Sequence, residues 1–238
     1  MIISRVRLSK NQIIAIPEPD RSYLICLGSF LDEINILQKL LISSINTETT
    51  HQIEVRAHLA QTMLFSKLLC AKLYEGRLQI DVGAKFIPNC PVIAQSALKS
   101  LRRYFNGPNL ISRVRNSFAF HSDRNEIEKF IPEIADTDDY EFFLHEKIHS
   151  SLYYACDFIC NLALIAETKE ENIDRVMGEF IDEYNQVFGW FMDFGGHCIT
   201  AIMEQYFPDA AISEEVELKN RLHFEEVPLL FFVKGRKV

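Results

Sequence analysis

The stretch CLGSFLDEINILQKLLISSIN, residues 26–46, decides the fold class, because its apolar residues recur at spacings of three and four. One face of a helix collects them: Leu27, Phe30, Leu31, Ile34, Leu37, Leu40 and Leu41. The strict alternation that is typical of a half-buried strand is missing. The spacing predicts an amphipathic helix over about 25–45, with one apolar stripe turned toward a core.

The rest of the chain shows the same period between clear breaks. Further helices are predicted over about 51–79, 93–105, 110 onward, 141–167 and 171–206. The breaks are the proline-containing stretch 81–91, the turn NGPN at 106–109 and the acidic stretch 133–141. The sequence therefore predicts an all-α protein with an additional C-terminal helix and a short extended tail.

No internal stretch is rich enough in Pro, Gly or Ser to separate two domains. The predicted parts are an irregular segment 1–24, a single helical domain 25–207 and a C-terminal extension 208–238. The six cysteines form no CxxC pair, no run of 18 apolar residues occurs, and the first residues lack the apolar core of a signal peptide. These features predict a cytoplasmic protein without a membrane span.

Charge is distributed unevenly along the chain. The formal net charge is −8 over 238 residues, but between Lys99 and Arg124 six basic residues face one acidic residue, Asp123, for a net charge of +5. Because the protein as a whole is acidic, most of its surface repels nucleic acid. Contact with RNA phosphates is therefore expected at this basic segment. Arg102, Arg103 and Arg113 are its candidate backbone-binding residues.

Inside the basic segment lies RNSFAFH, residues 115–121. The guanidinium of Arg115 offers a planar fork of donors that suits phosphate oxygens. The imidazole of His121 can give or take a proton near neutral pH, and the amide of Asn116 can orient either group. This combination suits RNA cleavage by attack of the ribose 2′-OH on the neighbouring phosphate, a reaction that requires no metal or cofactor.

The spacing of Arg115 and His121 raises a geometric difficulty. On an ideal helix, residues six apart differ by about 120° around the axis, so the two side chains cannot hold one ligand together. Two solutions fit the sequence: either His121 lies at a fraying helix end, or a second copy of the protein completes the site.

RNSFAFH resembles the Rx4–6H motif of HEPN domains, and the upstream LCAKLYEG, residues 69–76, resembles a helix that precedes the motif in HEPN-like proteins. The resemblance covers about residues 25–165. It implies an all-α, up-and-down helical bundle that dimerises so that two motifs line one cleft. It also implies a metal-independent endoribonuclease of a toxin–antitoxin or phage-defence system. Some HEPN toxins carry a Tyr two residues after the His, where this chain has Asp123.

In that interpretation His121 is the general acid/base, Arg115 stabilises the phosphate and Asn116 orients them. The predicted partners are RNA, a second copy and an antitoxin protein. The second hypothesis is a noncatalytic helical protein-interaction module, since some HEPN domains only bind.

A third hypothesis is a zinc hydrolase that uses HEKIH, residues 145–149. Residues four apart lie on one helix face, so His145 and His149 would chelate zinc while Glu146 acts as base. The charged Lys147 between them and the lack of an obvious third ligand speak against it, so we predict no metal site.

Overall fold

A computed structural model describes residues 2–45, 50–116, 124–134, 140–146, 151–166, 173–208 and 214–217. Helices dominate these residues, which confirms the predicted all-α class. The helices are α1 (Lys10–Ala15), α2 (Glu18–Ser44), α3 (Gln52–Gly83), α4 (Val92–Phe105), α5 (Leu110–Val114), α6 (Arg124–Phe130), α7 (Tyr154–Ala166) and α8 (Ile173–Tyr206). Short 3-10 helices cover Ala84–Asn89 and Ile131–Glu133.

Two short strands are also present. Strand β1 (Ile2–Arg5) pairs antiparallel with β2 (Glu214–Glu217), with Ile2 opposite Glu217 and Arg5 opposite Glu214. The apolar run VPLLFFVKG of the predicted extended tail lies outside the described residues.

The N-terminal segment is more regular than the sequence analysis predicted. Ser9 and Gln12 cap α1 reciprocally: the Ser9 hydroxyl accepts from the Gln12 backbone N–H, and the Gln12 side chain accepts from that of Ser9. α2 begins at Glu18 rather than near residue 25, with Pro19 in its first turn. Proline is tolerated there because the first N–H groups of a helix have no intrahelical partner.

The predicted helix over 141–167 is wrong in its first half. Residues 140–146 contain no helix, and Phe143 forms an antiparallel bridge with Leu152, with N···O distances of 2.9 and 2.7 Å. Phe143 packs against the cluster formed by Ala57, Leu152 and Tyr154, so burial of its ring is combined with strand-like pairing. The helix therefore begins only at Tyr154.

The chain divides into two compact units. Unit 1 comprises residues 1–35, 72–109 and 184–222, and unit 2 comprises residues 36–71, 110–183 and 223–238. The helices α2, α3 and α8 contribute residues to both units. The single helical domain over 25–207 stays a prediction.

The predicted stripe of α2 is confirmed in unit 1, where Leu27, Phe30, Leu31 and Ile34 are buried. The ring of Phe30 meets that of Phe191 edge-on, with centroids 5.1 Å apart. Gly76 of α3 lies against both rings: a Cβ there would come within 2.7 Å of Phe30 and 2.9 Å of Phe191. The close approach of these helices requires a residue without a side chain at this position.

Unit 1 also contains a buried carboxylate, Asp20, which is 8% exposed. Lys85 forms an ion pair with it, and the Tyr206 hydroxyl donates a hydrogen bond of 2.6 Å. Burial acts to raise the pKa of Asp20, but the hydrogen bonds from Lys85 and Tyr206 and the charge of Lys85 outweigh it, so the pKa is lowered. The ionised carboxylate therefore stabilises the fold.

We predict that Gly76→Ala lowers the free energy of unfolding by about 1–3 kcal/mol, because the methyl group overpacks Phe30 and Phe191. The control is Gly28→Ala in α2, where nothing lies within 4 Å of the added Cβ. That variant should gain about 0.5–1 kcal/mol from helix propensity. Urea denaturation measures both, and equal effects of the two substitutions would contradict the packing account.

We predict that Tyr206→Phe lowers the free energy of unfolding by about 1.5–3 kcal/mol at neutral pH, because a buried carboxylate loses a donor. A lowered pKa stabilises above the ordinary pKa of the group, about 3.9, and that stabilisation disappears as pH falls below it. The difference between the proteins should therefore shrink in acid. Urea denaturation over a pH series checks this, with Tyr153→Phe, at an exposed tyrosine, as control; a difference independent of pH would contradict the account.

Candidate functional site

The turn NGPN leads into the candidate site. The side-chain amide of the buried Asn109 donates to the carbonyls of Tyr104 and Gly107, at 3.2 and 2.9 Å. Asn109 thus satisfies carbonyl groups at and just after the end of α4. In unit 2 the N–H of Leu110, the first residue of α5, donates to the Glu183 carboxylate at 3.1 Å. No local pattern indicated that partner, because it lies 73 residues away.

Helix α5 is short and held by two side chains. Ile111 and Val114, three residues apart, are fully buried, and Arg113 between them is exposed. The regular helix ends at Val114, and residues 115–116 continue it as a wider, π-type turn. Turns of this kind are frequent at functional sites.

The structure brings Arg115 and Asn116 together. Nη1 of the half-buried Arg115 donates to Oδ1 of the exposed Asn116 at 3.2 Å. This hydrogen bond joins the guanidinium to the neighbouring amide. The role predicted for Asn116 at the site stays a prediction. His121 lies outside the described residues, so its position relative to Arg115 stays a prediction.

The other candidate arginines belong to different parts of the chain. Arg113 belongs to unit 2, whereas Arg102 and Arg103 belong to unit 1, where both are exposed in the last turn of α4. Arg102 forms an ion pair with Asp81, with Nη2 and Oδ1 2.8 Å apart. An exposed pair of this kind contributes about 0–1 kcal/mol, so a phosphate can displace Asp81 at little cost.

The structure describes the first two residues of HEKIH. His145 and Glu146 lie in non-helical chain, where the His145 N–H donates to the Ser151 hydroxyl at 2.9 Å. Lys147, Ile148 and His149 are outside the described residues. The argument that residues four apart share one helix face therefore does not apply at His145. Among the described residues, no group of three or more His, Cys, Asp or Glu side chains could hold a metal ion.

A second polar cluster in unit 2 involves α3 and α7. Burial lowers the pKa of Lys67, while the nearby Cys160 and Asp157 oppose that shift. Burial raises the pKa of Asp157, and Lys67 opposes it. Ser66 is fully buried, and its hydroxyl has no hydrogen-bond partner among the described residues. These groups lie in or beside the apolar runs of both helices. They do not form a group of three metal-ligating side chains with other described residues.

None of the described helices combines the length and apolar character needed to cross a bilayer. Comparisons with protein-family models, with curated proteins and with solved structures found no match. The resemblance to HEPN domains therefore rests on the sequence motif itself.

We predict that protein purified without chelator contains well under one zinc per chain, because His145 is not on a helix that could present a second ligand four residues later. Elemental analysis measures this. His145→Ala and His149→Ala should leave the metal content unchanged, and stoichiometric zinc that is lost in either variant would overturn the prediction.

Proposed function

We propose that the protein is a HEPN-like, metal-independent endoribonuclease in which Arg115 binds the scissile phosphate and His121 transfers protons. The observation that carries the proposal is the hydrogen-bonded pair of Arg115 and Asn116 at the end of α5. The pair lies in the segment of net charge +5 within a protein of net charge −8. A guanidinium oriented by a neighbouring amide is suited to a phosphate that gains negative charge during reaction.

The proposed reaction proceeds in one displacement. His121 removes the proton of the ribose 2′-OH, and the 2′ oxygen forms a bond to phosphorus. The bond from phosphorus to the 5′ oxygen breaks, and that oxygen takes up a proton. The products are a 2′,3′-cyclic phosphate and a 5′-hydroxyl. Arg115 stabilises the negative charge that develops on the phosphate oxygens, and Asn116 holds Arg115 in orientation.

A homodimer supplies the second proton-transfer group in this proposal. One helix alone separates Arg115 and His121 by about 120°. A second copy of the motif across a shared cleft would bring an arginine and a histidine to the same phosphate. The motif resemblance further suggests a toxin or phage-defence component of the cytoplasm, with an antitoxin protein as partner.

RNA recognition in this proposal depends on arginine charge. Arg113 is exposed one turn before Asn116, and Arg102 and Arg103 are exposed on α4. Each is expected to contact the backbone rather than the bases, since guanidinium–phosphate contacts carry no sequence information directly. Binding is therefore expected to weaken with salt.

We predict that the protein cleaves single-stranded RNA in the presence of EDTA. His121→Ala should lower the rate about 10²–10⁴-fold, because a positioned proton-transfer group is lost. Arg115→Ala should lower it about 10²–10³-fold, because the developing charge loses its partner. The assay is a labelled RNA pool, with product ends analysed for 2′,3′-cyclic phosphate and folding checked by circular dichroism.

The matched control is Arg77→Ala, which removes an exposed arginine that packs over the ring of Tyr74 in α3. Its cleavage rate should equal that of the unmodified protein. Arg102→Ala should weaken RNA binding and reduce the salt slope by about 0.7, as expected for one lost contact to a single strand. Intact RNA over a broad range of sequences would favour the noncatalytic interaction module, and undiminished cleavage by His121→Ala would show that the residue assignment is wrong.

A further inference from the structure

Three aromatic side chains of unit 1 form a row that is partly exposed. Tyr104 and Phe105 are the last residues of α4, and Trp190, the only tryptophan of the chain, lies in α8. The rings of Tyr104 and Trp190 meet edge to face with centroids 6.1 Å apart, and those of Tyr104 and Phe105 do so at 5.1 Å. None of the three side chains is fully buried, so this aromatic row meets solvent as well as the core.

The inner end of the aromatic row is anchored, and its outer end is open. The ring of Phe105 contacts that of the fully buried Phe191, with centroids 6.0 Å apart. Tyr104 and Trp190 form the outer end. Gly189 directly precedes Trp190, and a Cβ at this glycine would have no described atom within 4 Å beyond its chain neighbours and its own helix backbone. The surface beside the indole therefore leaves room for a planar ligand.

Basic side chains accompany the aromatic row on α4. Lys99 and Arg103 are exposed one turn apart, and neither forms an ion pair with another described residue. Arg102 is also exposed and pairs with Asp81. The helix itself contains no acidic residue. In a protein of net charge −8, α4 is therefore a local region of positive charge that attracts a polyanion.

We propose that Tyr104 and Trp190 form a stacking site for unpaired bases of single-stranded RNA, with Lys99 and Arg103 on the adjacent phosphates. Proteins that bind single strands combine aromatic rings, on which bases stack, with cations that follow the backbone. The inference rests on the proposed function, from which RNA is taken as the ligand. It adds that the strand is unpaired, because bases inside a duplex have no face accessible to a ring.

The angle between the two outer rings indicates which strands fit. The planes of Tyr104 and Trp190 are inclined by 66°, so bases stacked on the two rings cannot also stack on each other. A flexible strand whose bases stack weakly on each other loses little in this arrangement. Runs of uridine have that property, and an oligouridylate is therefore the probe of choice.

Fluorescence titration tests the proposal on the full chain, because Trp190 is the only source of tryptophan emission. The probe is a 2′-O-methyl oligouridylate, which has no 2′-OH and so cannot be cut by the proposed reaction. Binding should quench the emission, since a base stacked on the indole quenches its excited state. The same strand without bases should bind at least about 5-fold more weakly, as expected for one lost stack, and leave the emission unchanged. No binding, binding without quenching, or equal binding of the two strands would overturn the proposal.

Cleavage assays with unmodified RNA separate this inference from the proposed function. Quenching by the 2′-O-methyl strand in a protein that cuts no RNA would support the stacking site and contradict the endoribonuclease. Cleavage of RNA by a protein whose emission stays unquenched would support the endoribonuclease and contradict the stacking site.

Substitutions separate stacking from charge, with binding measured by the anisotropy of a labelled probe and folding by circular dichroism. Tyr104→Leu and Trp190→Leu remove a ring but keep an apolar side chain, so each should weaken binding about 5- to 150-fold without changing its salt slope. Arg103→Ala should reduce the salt slope by about 0.7, because one phosphate contact is lost. The matched control is Tyr153→Leu, at an exposed tyrosine of unit 2, which should bind as the unmodified protein does.

Trp190→Phe guards against an effect of misfolding, because it retains an aromatic face at the same position. This variant should bind at least about 5-fold more tightly than Trp190→Leu. Folded leucine variants that bind as tightly as the unmodified protein, or equal affinities of Trp190→Phe and Trp190→Leu, would contradict the stacking site.

Discussion

The candidate site depends on how the short helix α5 is held. Five residues cannot form a stable helix in isolation, so α5 exists because Ile111 and Val114 are buried and because Glu183 accepts from its first N–H. Burial at two positions three apart fixes the rotation of the helix, and this rotation leaves Arg113 exposed. It also determines where Arg115 and Asn116 leave the regular helix. If α5 were rotated about its axis, the guanidinium of Arg115 would no longer project toward the proposed phosphate site.

Much of the fold could be predicted from periodicity. The stripe of α2, the bounds of α4 and the turn NGPN follow from apolar spacing and turn residues, which act locally. The Ser9–Gln12 capping box also follows from a local sequence pattern. The start of α7 could not be predicted from apolar periodicity. Phe142, Phe143 and Leu144 are consecutive apolar residues that fit either period, and the outcome is decided by burial of Phe143 against Ala57, 86 positions earlier in the sequence.

The candidate site also combines features that depend on local sequence with features that depend on long-range packing. The exposed basic residues and the adjacency of Arg115 and Asn116 were predictable, because they depend on neighbours in the chain. The ion pair of Arg102 with Asp81 and the capping of α5 by Glu183 depend on long-range packing, so a local pattern cannot reveal them. The helix that the zinc hypothesis assumed is absent at His145 for a related reason: the non-helical course of residues 140–146 accompanies the long-range packing of Phe143.

The central claim is that Arg115 stabilises the phosphate while the ribose 2′-OH attacks phosphorus. The most direct test uses an RNA oligonucleotide that the protein cuts at one mapped bond, together with the same oligonucleotide carrying a single 2′-deoxyribose on the 5′ side of that bond. Single-turnover rates and binding are measured for both in EDTA. The account predicts that the two bind equally, that the RNA is cut to a 2′,3′-cyclic phosphate, and that the deoxy substrate stays intact at that bond. Equal cleavage of both substrates would contradict it.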